Sequence, residues 1–507
     1  MNRKKIVLIV LLGIIIMAIT NHSKIFWGNN QTIKNLYWNS EFLVHDVMIM
    51  SYQPGYEYPY GLGEMIPYNN ASFEYSLTDE ERGFLNGYST TEKVIAIKDC
   101  EATRYEYTVG NTMIFFNGDK ADIVGVEAPG DGYLYVEYEA DEIYSSGKQD
   151  NLKYISIYSN LAQTHMQVGE MVPYVSQVGL QGMIFSEFPK EFTMAEMMAA
   201  YRWVLAFIYA TIMTIICYQI YKKYNLLFGI IFYVVTMLSP WMIGYSTNLY
   251  WVEFTWFLPM LAGLLCVNNI NSRKIRIISY ILVFLGVAIK CACGYEFITT
   301  IMLSAIVFLL TDFTVAIIDK RDKKEILHLF KTIFIMGIFA LLGFAVVMLI
   351  HAYLRGDGEI LGGLKTIFYN DVLRRTIGGD ATTFQDIYSD SLNASFIIVI
   401  CRYLLFDTPV IWGVPGILFI PLIAVSFFAL VWGVRKGLIK KDMLVLYIWM
   451  GIASISWFVL GKSHSYVHTF MNFVLWYFGF VQIIFYAIVW LGKTLVLERK
   501  KEKTNEN

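Results

Sequence analysis

Apolar runs near the length a helix needs to cross a bilayer dominate this chain and leave little of it to fold as an ordinary soluble domain. Ten can be placed by hydropathy, at 6–22, 203–221, 226–243, 250–267, 277–293, 298–318, 332–351, 412–431, 443–460 and 473–492. A hydrocarbon core of ~30 Å is spanned by about 20 helical residues. Only 16% of the 507 residues are charged, against about 25% in soluble domains. The basic residues concentrate in alternate loops: Arg3-Lys4-Lys5, Lys222-Lys223, Arg273-Lys274-Arg276, Lys320-Arg321 with Lys323-Lys324, Arg435-Lys436, Lys440-Lys441 and Arg499-Lys500-Lys501. Lys and Arg are retained on the cytoplasmic side. With ten spans, all these loops fall on that side and both termini are cytoplasmic. The expected fold is a polytopic α-helical protein of the cell membrane.

The first run, within 1–22, reads as an uncleaved signal anchor. Lys4-Lys5 precedes it, and no small-x-small cleavage site appears at Met17-Ala18-Ile19-Thr20. Residues 23–197 then form one large extracellular insertion. It carries 25 Asp/Glu against 10 Lys/Arg, a net charge of −15 in a chain that sums to −2. Such a surface excludes nucleic acid as a partner. Its middle is rich in short aromatic and β-branched runs: Arg104 to Phe116, Asp122 to Glu127, Tyr133 to Glu139 after a Pro129-Gly130-Asp131-Gly132 turn, and Leu152 to Tyr158. An antiparallel β-sandwich of about 90–110 residues with helical flanks is expected. Thr193-Met-Ala-Glu196 fits a capping box opening the second span. Spans two to seven then occupy 198–351. An extracellular loop with a membrane-surface helix, Ile360 to Leu373, occupies 352–411, spans eight to ten occupy 412–492, and a basic cytoplasmic tail occupies 493–507.

Six cysteines make no disulfide framework, since Cys100 alone lies in the insertion and Cys291-x-Cys293 is too close to bridge. Packing is the expected role of all six. No Walker A sequence, dinucleotide loop or Gly-x-Ser-x-Gly elbow is present. ATP-driven transport is therefore unsupported. The absence of an inverted repeat and of a midplane polar cluster counts against a secondary transporter.

The polar residues gather on the extracellular side. After the first span come Tyr37-Trp38-Asn39-Ser40-Glu41 and His45-Asp46, then Pro54-Gly55-Tyr-Glu57. Ser239-Pro240-Trp241 and Asn248-Leu-Tyr250-Trp251-Val-Glu253 join spans three and four; Lys290-Cys-Ala-Cys-Gly294-Tyr295-Glu296 joins five and six. Gly461-Lys462-Ser463-His464-Ser-Tyr466-Val-His468 joins nine and ten. Ionisable groups at membrane depth are costly and mark functional positions. Lys290, Glu253 and Glu296 qualify, and an ion pair of Lys290 with either carboxylate is the structural alternative. His464 and His468, spaced i, i+4, share a helix face and suit a phosphate better than a metal, because no third ligand is near in sequence. No metal site is assigned, and a divalent cation is the only cofactor left open. Arg374-Arg375 beside a bilayer suits a lipid phosphate. Asp46, next to His45 and near Glu41, is the candidate general base.

The strings Asn248-Leu-Tyr-Trp-Val-Glu253, Lys290-Cys-Ala-Cys-Gly-Tyr-Glu296 and Lys462-Ser-His-Ser-Tyr-Val-His468 resemble those of a group of bacterial polytopic membrane proteins. The likeness runs over most of the chain and carries no chemistry with it. The layout resembles the GT-C glycosyltransferases, which have an acidic residue in the first outer loop and an outward-facing site. Asp46 would take the place of that acid. Two departures stand out: His45-Asp46 replaces the usual pair of acids, and the soluble domain sits in loop one. The resemblance implies transfer of a sugar from a polyprenyl-phosphate donor to an envelope glycan or protein acceptor. Catalytic Asp46 and Glu41 would then act with substrate-binding Asn248, Glu253, Lys290, Glu296, Arg374, Arg375, Lys462, His464 and His468. The alternative is a non-catalytic transporter or assembly factor for lipid-linked glycans, or an envelope-polymer-binding membrane protein.

Overall fold

The structure, a computed structural model, describes residues 3–28, 40–51, 59–68, 93–115, 118–130, 132–140, 155–166, 168–188, 192–376 and 386–505. Tyr37, Trp38, Asn39, Pro54, Gly55 and Glu57 lie outside them, as do Asp131 and 152–154 of the expected strands. The chain divides into two compact units, Ser40–Arg202 and a second made of 1–39 and 203–507.

The smaller unit begins with α1 (Phe42–Met50) and β1 (Gly63–Pro67). It continues through β2 (Val94–Lys98), α2 (Glu101–Glu106), β3 (Thr112–Ile114), β4 (Lys120–Glu127), β5 (Tyr133–Glu139), β6 (Ser156–Ser159), β7 (Thr164–His165), β8 (Gly169–Pro173) and α3 (Leu180–Ser186). The expected sandwich takes a different form. Among the described residues six strands make one antiparallel sheet in the order β2-β5-β4-β3-β6-β7, and β1 pairs with β8 in a separate ribbon. Alternation in the strands explains the sheet's covered face: Ile95, Ile97, Ala121, Ile123, Leu134, Val136 and Ile157 are buried. A bulge between Ile123 and Gly125 shifts the β4–β5 register. In α1 every residue from Leu43 to Met50 is buried, polar His45 and Asp46 included. The capping box is present: Thr193 N–H donates to Glu196 Oε2 at 2.9 Å and Glu196 N–H to Thr193 Oγ1 at 3.3 Å.

The larger unit is helical. Eight helices among the described residues are long and apolar enough to cross a membrane. They are 4–22, α4 (Met194–Lys223, which enters from the smaller unit), α8 (Arg273–Cys293), α9 (Ile298–Ile318), α10 (Lys323–Arg355), 416–435, α14 (Lys441–Leu460) and 480–499. The third and fourth expected spans differ from the rest. α5 (Leu226–Met237) and α6 (Pro240–Ser246) meet at a 68° bend, so the pair is a broken span or a re-entrant loop. The bend follows from Ser239-Pro240: Ser239 caps α6 by accepting the Met242 N–H, and Pro240 occupies its first turn. α7 (Phe254–Asn268) is only 15 residues long. The surface of this unit inverts that of a soluble bundle. α10 exposes Phe334, Leu341, Leu342, Val346 and Ile350 while burying Thr332 and His351. Glycines permit close helix approaches: a Cβ on Gly263 would lie 1.9 Å from the Ala305 carbonyl oxygen, and one on Gly343 would lie 2.5 Å from that of Phe284.

Between α10 and 416–435 run α11 (Ile360–Ile367), a π-helical turn Phe368–Val372 leading to Arg375, α12 (Asp386–Asn393) and α13 (Phe396–Leu404). α11 lies within the expected surface helix. Beyond α14 come α15 (Lys462–Val467) and short helical turns to Tyr477.

Candidate functional site

Three inter-helix segments of the larger unit converge: Gly294–Phe297, Asp371–Arg375 and Lys462–Asn472. Lys290, in the last turn of α8, donates to the Gly294 carbonyl at 2.7 Å, and its ammonium lies 4.0 Å from the Glu296 carboxylate. Both side chains are buried. This is the ion pair expected as one of two alternatives, and it closes the turn. The turn ends at Phe297, whose φ of 66° is unusual for a residue with a bulky side chain. Packing imposes it, because the Phe297 ring is buried against Trp251, Trp256 and Trp457.

The second segment brings Arg374 and Arg375 to 4.0 and 3.9 Å from the buried Asp371 carboxylate. One carboxylate thus serves two guanidinium groups. The third segment brings His464 and His468 together, with ring centroids 4.5 Å apart. His464 rests edge-on to Trp457, and its Nδ1 lies 3.5 Å from the Asn472 amide nitrogen. Tyr403 fixes the backbone beneath them, donating its hydroxyl to the carbonyls of Ser465 and His468.

The segments form one electrostatic group. Burial holds His464 well below the usual imidazole range, with lesser contributions from His468, Arg375 and Arg374. Burial, then Arg375, lowers His468 to about 4, while Glu296 acts in the opposite direction. Both imidazoles are therefore neutral near pH 7. Lys290, Arg374 and Arg375 then face Glu296 and Asp371, which leaves the group with a formal excess of one positive charge among these five side chains, apart from Lys462. It is suited to an anion bearing about one negative charge more than its surroundings.

Other expected site residues are engaged elsewhere. Lys462 donates to the Leu392 carbonyl at 2.7 Å and Ser463 bonds Ser391 at 2.6 Å, so both tie α15 to α12. The side-chain oxygen of Asn248 accepts the N–H groups of Tyr250 and Trp251, shaping the turn before α7. Glu253 is fully buried, and neither carboxylate oxygen has a hydrogen-bond partner among the described residues. Tyr209 and Tyr245 lie within its electrostatic reach. Lys290 pairs with Glu296, not with Glu253.

Asp46 and Glu41 belong to the smaller unit. Asp46 Oδ2 accepts the Met65 N–H at 2.8 Å, which pins α1 to β1. Glu41 is 3.1 Å from Arg202 and 3.8 Å from His45 Nε2.

Sequence reasoning passed over Tyr295 and His351, whose rings stack 5.6 Å apart beside the group. Arg375 and Asp371 both act on the Tyr295 hydroxyl. An ionisable residue near the end of an otherwise apolar run was the available signal for His351. Among the described residues, no three His, Cys, Asp or Glu side chains gather as metal ligands. No family model, curated protein or solved structure matches the chain.

Proposed function

We propose that the chain is an outward-facing membrane glycosyltransferase that moves a sugar from a polyprenyl-phosphate donor to a cell-envelope glycan or protein. The observation carrying this reading is the convergence of Lys290, Arg374, Arg375, His464 and His468 with Glu296 and Asp371 into a group with one excess positive charge. Its segments lie at the helix ends opposite the Lys/Arg-rich loops, which the distribution of charge assigns to the cytoplasm. In this reading there are ten membrane passes, with α5–α6 and α7 counted as crossings, both termini are inside, and the acidic smaller unit is outside.

The chemistry requires such a group. The acceptor hydroxyl attacks the anomeric carbon while a base removes its proton. The bond from that carbon to the phosphate oxygen breaks, and the polyprenyl phosphate departs with one more negative charge than it had in the donor. Arg374, Arg375 and Lys290 stabilise that charge, and neutral His464 and His468 supply N–H donors without adding a proton equilibrium of their own. Asp46 is the base. The Met65 N–H bond to Oδ2 fixes its orientation. Glu41, held by Arg202, positions the helix that carries it.

The test is complementation of a deletion strain by the double variant Arg374→Gln/Arg375→Gln. The expected result is a protein that reaches the membrane in normal amount and fails to restore the missing glycan decoration. Full restoration would remove the arginine pair from donor binding.

A further inference from the structure

α13 (Phe396–Leu404) has one partnered face and one open face. Its capping residue Ser395 accepts the Ile398 N–H at 3.3 Å. Val399 and Tyr403 are buried against the larger unit, the Tyr403 ring stacking on Phe458 at 3.9 Å. On the other side Phe396, Ile397, Ile398 and Leu405 are exposed, Leu405 by 72%. Ile397, Ile398 and Leu405 wall an open groove of about 500 Å³, within the usual range for small-ligand sites.

Two charges of opposite sign line the same groove, Arg402 and Asp407. The Arg402 guanidinium lies 4.1 Å over the ring of Tyr466, which holds it in place without using its N–H donors. Neither Arg402 nor Asp407 has an oppositely charged partner within 4.0 Å among the described residues. A groove with apolar walls, one fixed cation and one separate anion is complementary to an amphiphile whose head carries both charges. The larger unit is bilayer-spanning by the length and apolarity of its helices, so amphiphiles are its surroundings.

We infer that this groove binds a zwitterionic phospholipid of the phosphoethanolamine class. Arg402 holds the phosphate, Asp407 accepts from the primary ammonium, and Ile397, Ile398 and Leu405 cover the start of an acyl chain. The charge pattern gives selectivity in two directions. An anionic head without an amine meets Asp407 as a like charge. A choline head keeps the positive charge but has no N–H to donate. The groove is lined by none of the charged or imidazole side chains of the group proposed for the donor, and it stands whether or not the chain transfers a sugar.

Native mass spectrometry of the full chain released from nanodiscs of mixed phosphatidylethanolamine, phosphatidylglycerol and phosphatidylcholine tests this. The wild-type chain should retain phosphatidylethanolamine in preference to both others. Arg402→Gln should lose retained phospholipid, and Asp407→Asn should shift retention toward phosphatidylglycerol. Both residues are exposed, so neither change threatens the fold. The second measurement uses Cys401, the exposed cysteine that lines the groove. Its reaction with a water-soluble maleimide should be several-fold slower in phosphatidylethanolamine than in phosphatidylglycerol nanodiscs, a difference that Arg402→Gln abolishes. Equal retention of all three lipids, or identical behaviour of wild type and both variants, would overturn the inference.

Discussion

The imidazoles of His464 and His468 sit 4.5 Å apart within electrostatic reach of Arg374 and Arg375, and neither ring is protonated near neutrality. The consequence is a one-sided pH dependence. His468 titrates at about 4 in the folded chain and near 6.5 when unfolded. Between those values the unfolded chain binds a proton that the folded chain does not, so stability falls as pH drops through that window. Thermal unfolding in detergent should show a decreasing Tm from pH ~6.5 down to ~4, and His468→Gln should flatten the slope. An unchanged slope in the variant would place the pH sensitivity elsewhere.

Asp46 has two roles that one substitution separates. Asn at this position keeps an oxygen able to accept the Met65 N–H, so the α1–β1 contact survives while the base is lost. Asp46→Asn should fold with a Tm near that of wild type and fail to transfer the sugar. Asp46→Ala should also lose the contact and unfold earlier, by on the order of 1–3 kcal/mol. Wild-type transfer by Asp46→Asn would exclude Asp46 as the base.

In the smaller unit, Glu106 is buried, and neither carboxylate oxygen has a hydrogen-bond partner among the described residues. Burial, reinforced by Cys100, pushes its carboxyl up to about 8. Here the dependence runs the other way: above the ordinary carboxylate range the unfolded chain loses its proton while the folded chain keeps it. Stability therefore falls as pH rises from ~4.5 to ~8, by roughly 5 kcal/mol in all. Glu106→Gln should abolish that fall and make the domain more resistant to unfolding at pH 8, read by the near-UV circular dichroism of the full chain. A variant less stable than wild type at pH 8 would show the carboxylate to be partnered.

Two glycines make a matched pair for helix packing. A methyl group on Gly263 would collide with the Ala305 carbonyl, whereas one on Gly337 would meet nothing within 4 Å. Gly263→Ala should lower stability by about 1–3 kcal/mol through overpacking. Gly337→Ala should be neutral or slightly stabilising, because alanine favours the helix. Comparable unfolding in detergent for both variants would mean that α7 and α9 do not approach so closely.

Much of the membrane architecture was legible because apolar length is a property of contiguous residues. The exceptions are local. Averaging hydropathy over 226–243 hid the Ser239-Pro240 break, although cap and proline were both visible in the sequence. The Lys290–Glu296 pair was legible because the two residues flank one tight turn. The approach of Arg374-Arg375 to His464 and His468 was not, because it depends on how the segment after α10 folds back to the α14–α15 junction. Asn248 and Lys462 show the converse limit. Their residue types suggested ligand contacts, but backbone groups at Tyr250, Trp251 and Leu392 engage them, and sequence does not reveal where such groups lie. The strands of the smaller unit were recognisable by alternation, whereas their assembly as a sheet of six and a ribbon of two depends on pairing between distant segments.

The most direct measurement is a comparison of surface glycans and lipid-linked precursors between a deletion strain and its parent. A transferase should leave one glycan decoration missing and its polyprenyl-phosphate sugar accumulated on the outer leaflet. Unchanged glycans and precursors would contradict the proposed activity.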